Sequence, residues 1–129
     1  MDVIARHAER QPERVALIEG ERRLSWRELR DVRDRLAHSL VALGLAPGEH
    51  AVIYALNCIE SLIASAAVRA AGAIPVPMNH RLTAEEVVHI LDNSEAAVVL
   101  VGDAFLPMVE EVRARSPRVR ATSATGSAT

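Results

Sequence analysis

The spacing of hydrophobic positions changes several times along the chain, and these changes predict the order of its helices and strands. Residues 2–10 carry apolar positions at helical spacing and predict a short leading helix. The segments 15–18 and 22–25, joined by a Gly-containing turn, predict a β-hairpin. From Ser25 onward, helical patterns alternate with short apolar runs, which favours an α/β fold with a largely parallel sheet.

The first long helix is predicted to begin at Ser25, because Glu28 completes a capping box with it. The apolar positions of this helix form one stripe, and arginines and aspartates occupy the opposite face. The stripe consists of Leu29, Val32, Leu36, Leu40 and Leu43. Gly44 is predicted to end the helix, since glycine accepts the left-handed backbone that closes many helices.

A buried strand and an unusually apolar helix are predicted next. The run 50–56 predicts the strand. Asn57 and Glu60 predict the start of a helix that is apolar on nearly all sides, as in a helix packed against two neighbours. Gly72 is predicted to end that helix.

Residues 71–79, which read AGAIPVPMN, predict a junction between a helix and a strand at the edge of the sheet. Pro75 and Pro77 lack backbone N–H groups, so this strand is confined to an edge or a strand end. The alternation then continues with three elements. They are a helix opened by a capping box at Thr83 and Glu86, a buried strand over 96–101 and a last helix over 105–115.

The length and composition fit one domain built over residues 1–120. Half of the residues are apolar, and the core depends on aliphatic side chains because the chain has one Trp, one Tyr and one Phe. The uncharged apolar runs are shorter than the roughly 20 residues that a membrane span needs. Residues 121–129 are rich in Ala, Ser and Thr and are predicted to be a disordered, low-complexity tail.

Charge and cysteine content exclude several partners and predict a location. The net charge of −2 gives no electrostatic reason to expect nucleic acid or an anionic membrane as a partner. Cys58 is the single cysteine, so an internal disulfide is excluded and a cytoplasmic setting is predicted.

The residue pattern by itself indicates no active site. Neither a G-x-G-x-x-G motif nor a Gly-Lys-Ser/Thr loop is present. Cys58 is interpreted as a small hydrophobic residue, and Glu85 with His89 as surface electrostatics rather than a metal site. The paired carboxylates at 85–86 and 110–111 are interpreted as first-turn and solvated-face residues. The segment 122–126 is interpreted as low-complexity sequence rather than a phosphate loop.

Three segments carry a resemblance to a known family, and they occur in the family's order. They are Ser25-Trp26-Arg27-Glu28-Leu29, Leu56-Asn57-Cys58-Ile59-Glu60, and AGAIPVPMN followed by Arg81-Leu82. The chain resembles, over about residues 3–105, the N-terminal region of the adenylate-forming (AMP-binding) superfamily. The resemblance is to the acyl-CoA synthetase or long-chain fatty acid–CoA ligase type.

The resemblance implies a two-step reaction for a complete enzyme of this family. ATP and a carboxylic acid form an acyl-adenylate and pyrophosphate with Mg²⁺, and the thiol of coenzyme A then displaces AMP. It also implies that the phosphate loop and the catalytic lysines lie downstream of this region. Because the chain contains no lysine, we assign it no catalytic, cofactor-binding or metal residue.

Two functions remain open at this point. In the first, the chain is an N-terminal fragment of an ATP-dependent acid–CoA ligase that is inactive alone and has the remainder of the ligase as its partner. In the second, it is a non-catalytic binding or interaction domain derived from the same fold. In either case we expect the strands at 50–56 and 96–101 to expose edges and apolar faces, so that the isolated chain self-associates.

Overall fold

The computed structural model describes residues 2–56, 58–78, 81–117, 119 and 121–124, with the backbone alone for the last four. The helices are α1 (Val3–Arg10), α2 (Trp26–Ala42), α3 (Ile59–Ala70), α4 (Ala84–Asn93) and α5 (Leu106–Arg113). The strands are β1 (Val15–Glu19), β2 (Arg22–Ser25), β3 (His50–Tyr54), β4 (Ile74–Pro77), β5 (Ala96–Val101) and β6 (Ala121–Ala124). A 3-10 turn, Asp103–Phe105, precedes α5.

The strands form a parallel sheet of four strands and a separate antiparallel hairpin. In the sheet, β4, β3, β5 and β6 lie side by side in that order, and each neighbouring pair is parallel. β1 and β2 pair in antiparallel register, with an irregularity between Val15 and Leu17. The predicted α/β class, the largely parallel sheet and the N-terminal hairpin are therefore confirmed.

Side chains alternate between the two faces of β3 and divide the core into two layers. Ala51 and Ile53 pack with buried residues of α2 and α3. Val52 and Tyr54 pack on the opposite face with buried residues of α4 and α5. β5 is buried at every position, because helices cover both faces of the sheet as parallel strands require.

Both predicted capping boxes are confirmed. The Ser25 hydroxyl accepts from the Glu28 amide at 3.1 Å, and the Glu28 carboxylate accepts from the Ser25 amide at 2.9 Å. Thr83 and Glu86 make the same two bonds at 3.2 and 3.1 Å. Hydrogen bonds from these amides favour the ionised carboxylates and lower the pKa of Glu28 and of Glu86.

The predicted start of α3 is wrong. The helix begins at Ile59 with Cys58 as its N-cap residue, whereas the sequence indicated a cap formed by Asn57 and Glu60. Asn57 itself lies outside the described residues. The Glu60 side chain pairs with Arg22 of the hairpin, and its role in the cap is taken by Ser61, which accepts from the Cys58 amide at 3.1 Å.

The predicted inward stripe of α2 is correct at Leu29 and Leu40 and wrong at Leu43, and the predicted polar face is wrong at Arg33. Leu29 and Leu40 are buried, but Leu43 is 43% exposed because it follows the last turn of the helix. Arg33 was assigned to the polar face, yet its side chain is only 6% exposed. It is buried because α1 packs against α2 and brings Asp2 over the guanidinium.

The edges of the sheet differ in part from the expectation. β4 is an edge strand, as its prolines predicted. β3 and β5 have partners on both sides, so the prediction that these two strands expose free edges is wrong. The outermost strands in the described part of the chain are β4 and β6.

The end of the chain also departs from the sequence prediction. Ala121–Ala124 form β6, where a disordered tail was predicted, because the backbone of β5 pairs with them in parallel register. Residues 125–129 lie outside the described residues. None of the helices in the described ranges combines the length and the apolar character that crossing a bilayer demands.

Candidate functional site

The start of α3, which follows β3 in the chain, is joined to the hairpin by one carboxylate. Glu19, the last residue of β1, accepts a hydrogen bond from the Ile59 amide at 2.8 Å. Ile59 is the first residue of α3, where amide groups have no partner within the helix. The hairpin therefore supplies a cap to a helix that begins 40 residues later in the sequence.

Two local hydrogen bonds, both between Ser61 and Cys58, satisfy further backbone groups at the start of α3. The Ser61 hydroxyl accepts from the Cys58 amide at 3.1 Å and donates to the Cys58 carbonyl at 2.8 Å. Together with Glu19, Ser61 occupies amide groups at a position that in α/β proteins commonly receives an anionic ligand. The start of α3 is therefore already bound to side chains of this chain.

Arg22 provides the positive charge at this junction. Its guanidinium lies 2.5 Å from a Glu60 carboxylate oxygen and 3.7 Å from a Glu19 carboxylate oxygen. Burial raises the pKa of Glu60, but the hydrogen bond and the charge of Arg22 outweigh it, so the pKa is lowered on balance. The same contact raises the pKa of Arg22, and both groups are ionised at neutral pH.

Cys58 lies close to both carboxylates. One ligand atom each from Glu19, Cys58 and Glu60 lie within 4.8 Å of one another, which is close enough for a shared metal ion. The Arg22 guanidinium already pairs with both carboxylates, and each carboxylate accepts a hydrogen bond from the protein. The contacts are complete without a cation, so we assign no metal to this cluster.

An apolar cleft of about 410 Å³ lies beside the charged cluster, between β1 and α3. Leu17 and Ile59 form part of its wall, while Ile18 and Leu62 are 62% and 56% exposed. Large aliphatic side chains exposed next to one another often mark a surface that another element covers. The cleft is open to solvent, and polar groups line both of its walls, Glu19 on β1 and Ser61 on α3.

A second cluster fixes α1 to α2. The Arg33 side chain donates to Asp2 at 2.7 Å and to Asp34 at 2.9 Å. Hydrogen bonds from Arg33 and from the Ala5 amide lower the pKa of Asp2. Desolvation lowers the pKa of Arg33, but the two carboxylates more than offset it and raise the pKa on balance. A depression of about 550 Å³ opens beside this pair, and α3 lines it with Ala66, Arg69 and Ala70.

The candidate residues singled out by the sequence are not brought together. Glu85 pairs with Arg115 of the segment after α5 at 2.7 Å, and His89 is exposed on α4. Glu110 and Glu111 are exposed on α5, as interpreted. The clusters around Arg22 and Arg33 were missed because their partners lie 38 and 31 residues away, where no local spacing links them.

Comparison with solved structures gives the class of protein that this fold defines. The Mycobacterium tuberculosis fatty acyl CoA synthetase superposes with a TM-score of 0.87 at 28% identity, over 94% of this chain and 25% of that one. The anthranilate CoA ligase AuaEII in complex with anthranoyl-AMP superposes with a TM-score of 0.90 at 25% identity, over 95% and 24%. The fold is that of the N-terminal domain of adenylate-forming enzymes.

The profile of one family, described as AMP-binding enzyme, matches residues 4–128 of this chain. The chain therefore belongs to the AMP-binding enzyme family. A 4-hydroxybenzoate–CoA/benzoate–CoA ligase of Rhodopseudomonas palustris is 33% identical over 115 residues, which cover 89% of this chain and 21% of the relative. A medium/long-chain fatty acid–CoA/3-oxocholest-4-en-26-oate–CoA ligase of Mycobacterium marinum is 33% identical over 118 residues, which cover 91% and 22%. The chain thus spans about a fifth of the length of these curated relatives.

Proposed function

We propose that this chain is the N-terminal part of an ATP-dependent carboxylic acid–CoA ligase and supports the active site without activating an acid by itself. The observation that carries this proposal is the closed start of α3. Its first amide binds Glu19 at 2.8 Å, so the helix end nearest the carboxyl edge of β3 is occupied by a carboxylate.

The other helix starts support the same conclusion. Nucleotide phosphates bind helix N-termini through amide groups that have no other partner. In α1 the Asp2 carboxylate accepts from the Ala5 amide at 3.0 Å, and α2 and α4 are closed by their capping boxes. The starts of the first four helices in the described part of the chain are therefore bound by side chains of the chain itself.

These residues do not fit a triphosphate. A phosphate placed at the start of α3 would face the carboxylates of Glu19 and Glu60, with Arg22 already engaged by both. We therefore derive no catalytic step from this chain. ATP, Mg²⁺ and coenzyme A are proposed to bind the remainder of the ligase, which is the proposed partner. A cytoplasmic setting is proposed as well, on the single cysteine.

ATP–pyrophosphate exchange tests the proposal. Purified chain is assayed with benzoate, 4-hydroxybenzoate and medium- and long-chain fatty acids, beside the full-length Rhodopseudomonas palustris ligase as a positive control. We expect exchange with the control and none above the protein-free background with the chain. Acid-dependent exchange by the chain alone would contradict the proposal.

The alternative is a non-catalytic binding domain, and the cleft beside Ile18 and Leu62 is the feature that favours it. Titration of the same acids, followed by thermal unfolding, distinguishes the two. The control is Leu43→Asp, which changes an exposed residue at the end of α2 away from the cleft. The alternative is supported if an acid raises the unfolding temperature saturably, and if Leu62→Asp abolishes this stabilisation while Leu43→Asp retains it. Equal curves with and without acids support the ligase scaffold.

A further inference from the structure

The His7 imidazole on α1 contacts two side chains of different character. It stacks on the indole of Trp26, with ring centroids 4.5 Å apart and an angle of 27° between the ring planes. Its Nδ1 atom lies 3.4 Å from Nε2 of the Gln11 side-chain amide. No carboxylate among the described residues forms an ion pair with His7, so no acid in that part of the chain holds the ring in its charged form.

The orientation of the Gln11 amide is set by Arg14. The Arg14 guanidinium donates a hydrogen bond to Gln11 Oε1, with a donor-to-acceptor distance of 2.8 Å. A guanidinium carries donors only, so it requires the oxygen of the amide on its own side. The NH2 group of Gln11 is therefore the part that faces His7, and an NH2 group of an amide donates and does not accept.

The neutral form of His7 is fixed in one tautomer as a result. Because Gln11 offers a donor to Nδ1, that nitrogen must be unprotonated in order to accept. The proton of the neutral ring is therefore on Nε2. In this form the bond from Arg14 to Gln11 and the bond from Gln11 to His7 are satisfied together.

Protonation of His7 makes these two hydrogen bonds incompatible. The imidazolium carries N–H groups on both nitrogens and has no acceptor left. Its Nδ1–H group then faces a second donor for as long as the Gln11 oxygen stays bound to Arg14. The conflict ends when the Gln11 amide turns over, so that its oxygen accepts from Nδ1–H and leaves Arg14. The stack on Trp26 does not oppose the charge, because the face of an indole attracts a cation.

We propose that the Gln11 amide is a pH-operated switch between Arg14 and His7. The amide oxygen binds Arg14 while His7 is neutral, and it binds His7 when the ring is charged. Imidazole changes charge between about pH 5 and 8, so acidification through this range drives the change. In the described part of the chain the Arg14 side chain has no other polar partner, so the switch releases its guanidinium to solvent.

The charged groups on the elements around His7 keep their charge over this range. Carboxylates titrate at lower pH than imidazole, and arginine stays protonated throughout. The charged neighbours on α1 are Arg6, Glu9 and Arg10. The segment before β1 and the first turns of α2 include three ion pairs, which are Arg27 with Glu13, Arg30 with Asp31, and Arg33 with Asp2. His7 is therefore the group whose titration moves the Gln11 amide.

An NMR titration of the unmodified chain from about pH 8 to about pH 5 tests the proposal. The ¹⁵N shifts of the imidazole give the tautomer of neutral His7, and His38, exposed on α2, is the reference in the same spectrum. We expect His7 to hold its proton on Nε2 more completely than His38 does. We also expect the side-chain signals of Gln11 and Arg14 to shift with the midpoint of His7, and the guanidinium protons to exchange faster below it.

Two results of this titration would overturn the proposal. One is a neutral His7 that carries its proton on Nδ1. The other is a set of Gln11 and Arg14 side-chain signals that do not follow the midpoint of His7. Circular dichroism over the same pH range confirms that the chain stays folded, and neither readout requires a variant.

Three variants provide the matched comparison. His7→Phe keeps an aromatic ring against Trp26 and removes the titrating group, so the Gln11 and Arg14 signals should become constant over the range. Arg14→Ala removes the group that orients the amide, so the tautomer ratio of His7 should approach that of His38. Arg10→Ala removes an exposed charge from the last turn of α1 without touching Gln11, and we expect the His7 tautomer to be unchanged.

The comparison separates the hydrogen bonds from a general effect of charge. Equal changes in Arg10→Ala and Arg14→Ala would overturn the proposal, as would Gln11 and Arg14 signals that still titrate in His7→Phe. Should His7→Phe not fold, the titration of the unmodified chain decides. The outcome is independent of the proposed ligase role, which ATP–pyrophosphate exchange tests.

Discussion

Replacing Glu19 by alanine tests whether the hairpin clamps the start of α3. The carboxylate accepts from the Ile59 amide at 2.8 Å and lies 3.7 Å from Arg22, with 41% of the side chain exposed. Loss of a side-chain cap costs about 0.5–2 kcal/mol. The exposed contact with Arg22 adds little. We therefore expect Glu19→Ala to lower the free energy of unfolding by about 1–2 kcal/mol.

Two matched variants separate the hydrogen bond from the charge. Glu19→Gln keeps an oxygen acceptor but removes the negative charge at the positive end of the helix, so we expect a loss of only about 0.3–1 kcal/mol. Glu21→Ala removes an exposed carboxylate two residues away in the same hairpin turn. Its expected effect is within about 0.5 kcal/mol.

Urea unfolding at one fixed protein concentration is the measurement, with the fluorescence of Trp26 as the probe. Trp26 is the single tryptophan and stacks on His7 with ring centroids 4.5 Å apart, so it reports the packing of α1 on α2. A Glu19→Ala curve that matches that of Glu21→Ala would refute the clamp. A Glu19→Gln loss equal to that of Glu19→Ala would assign the effect to charge alone.

Further predictions concern the ion pair between Arg33 and Asp2 and the buried hydroxyl of Ser116. Arg33→Ala removes two charge-assisted hydrogen bonds and should cost about 2–3 kcal/mol in urea unfolding, against less than about 0.5 kcal/mol for exposed Arg35→Ala; equal effects would contradict the buried pair. The folded-state pKa of Asp2 is lowered from 3.8, so its contribution to stability is present above that pH and is lost as the pH falls through the lowered value. Asp2→Asn should therefore flatten the acid limb of the stability curve, and an unchanged limb would contradict this. The Ser116 hydroxyl is buried without a hydrogen-bond partner in the described residues, so Ser116→Ala should raise stability by about 1 kcal/mol in thermal unfolding; a loss of similar size would show that the hydroxyl has a partner.

The features that the sequence predicted correctly depend on neighbours within one helical turn or one strand. Ser25 with Glu28 and Thr83 with Glu86 are three residues apart, so the two partners of each cap appear together in the sequence. Pro75 and Pro77 likewise carry their structural meaning in themselves, because a missing N–H restricts any strand to an edge.

The features that were missed depend on contacts between distant segments. Glu19 caps a helix 40 residues further on, and nothing in the hairpin sequence indicates it. Arg33 has the periodicity of a surface residue and is buried only because α1 packs over it. The residues of β6 have the composition of a linker, and they form a strand because the edge of β5 offers them a partner.

We propose that this chain supports a nucleotide site without containing it. Calorimetric titration of MgATP into the purified chain, with the full-length Rhodopseudomonas palustris ligase as the reference, tests it most directly. We expect no saturable heat from the chain at millimolar nucleotide. Saturable binding of one nucleotide per chain would contradict it.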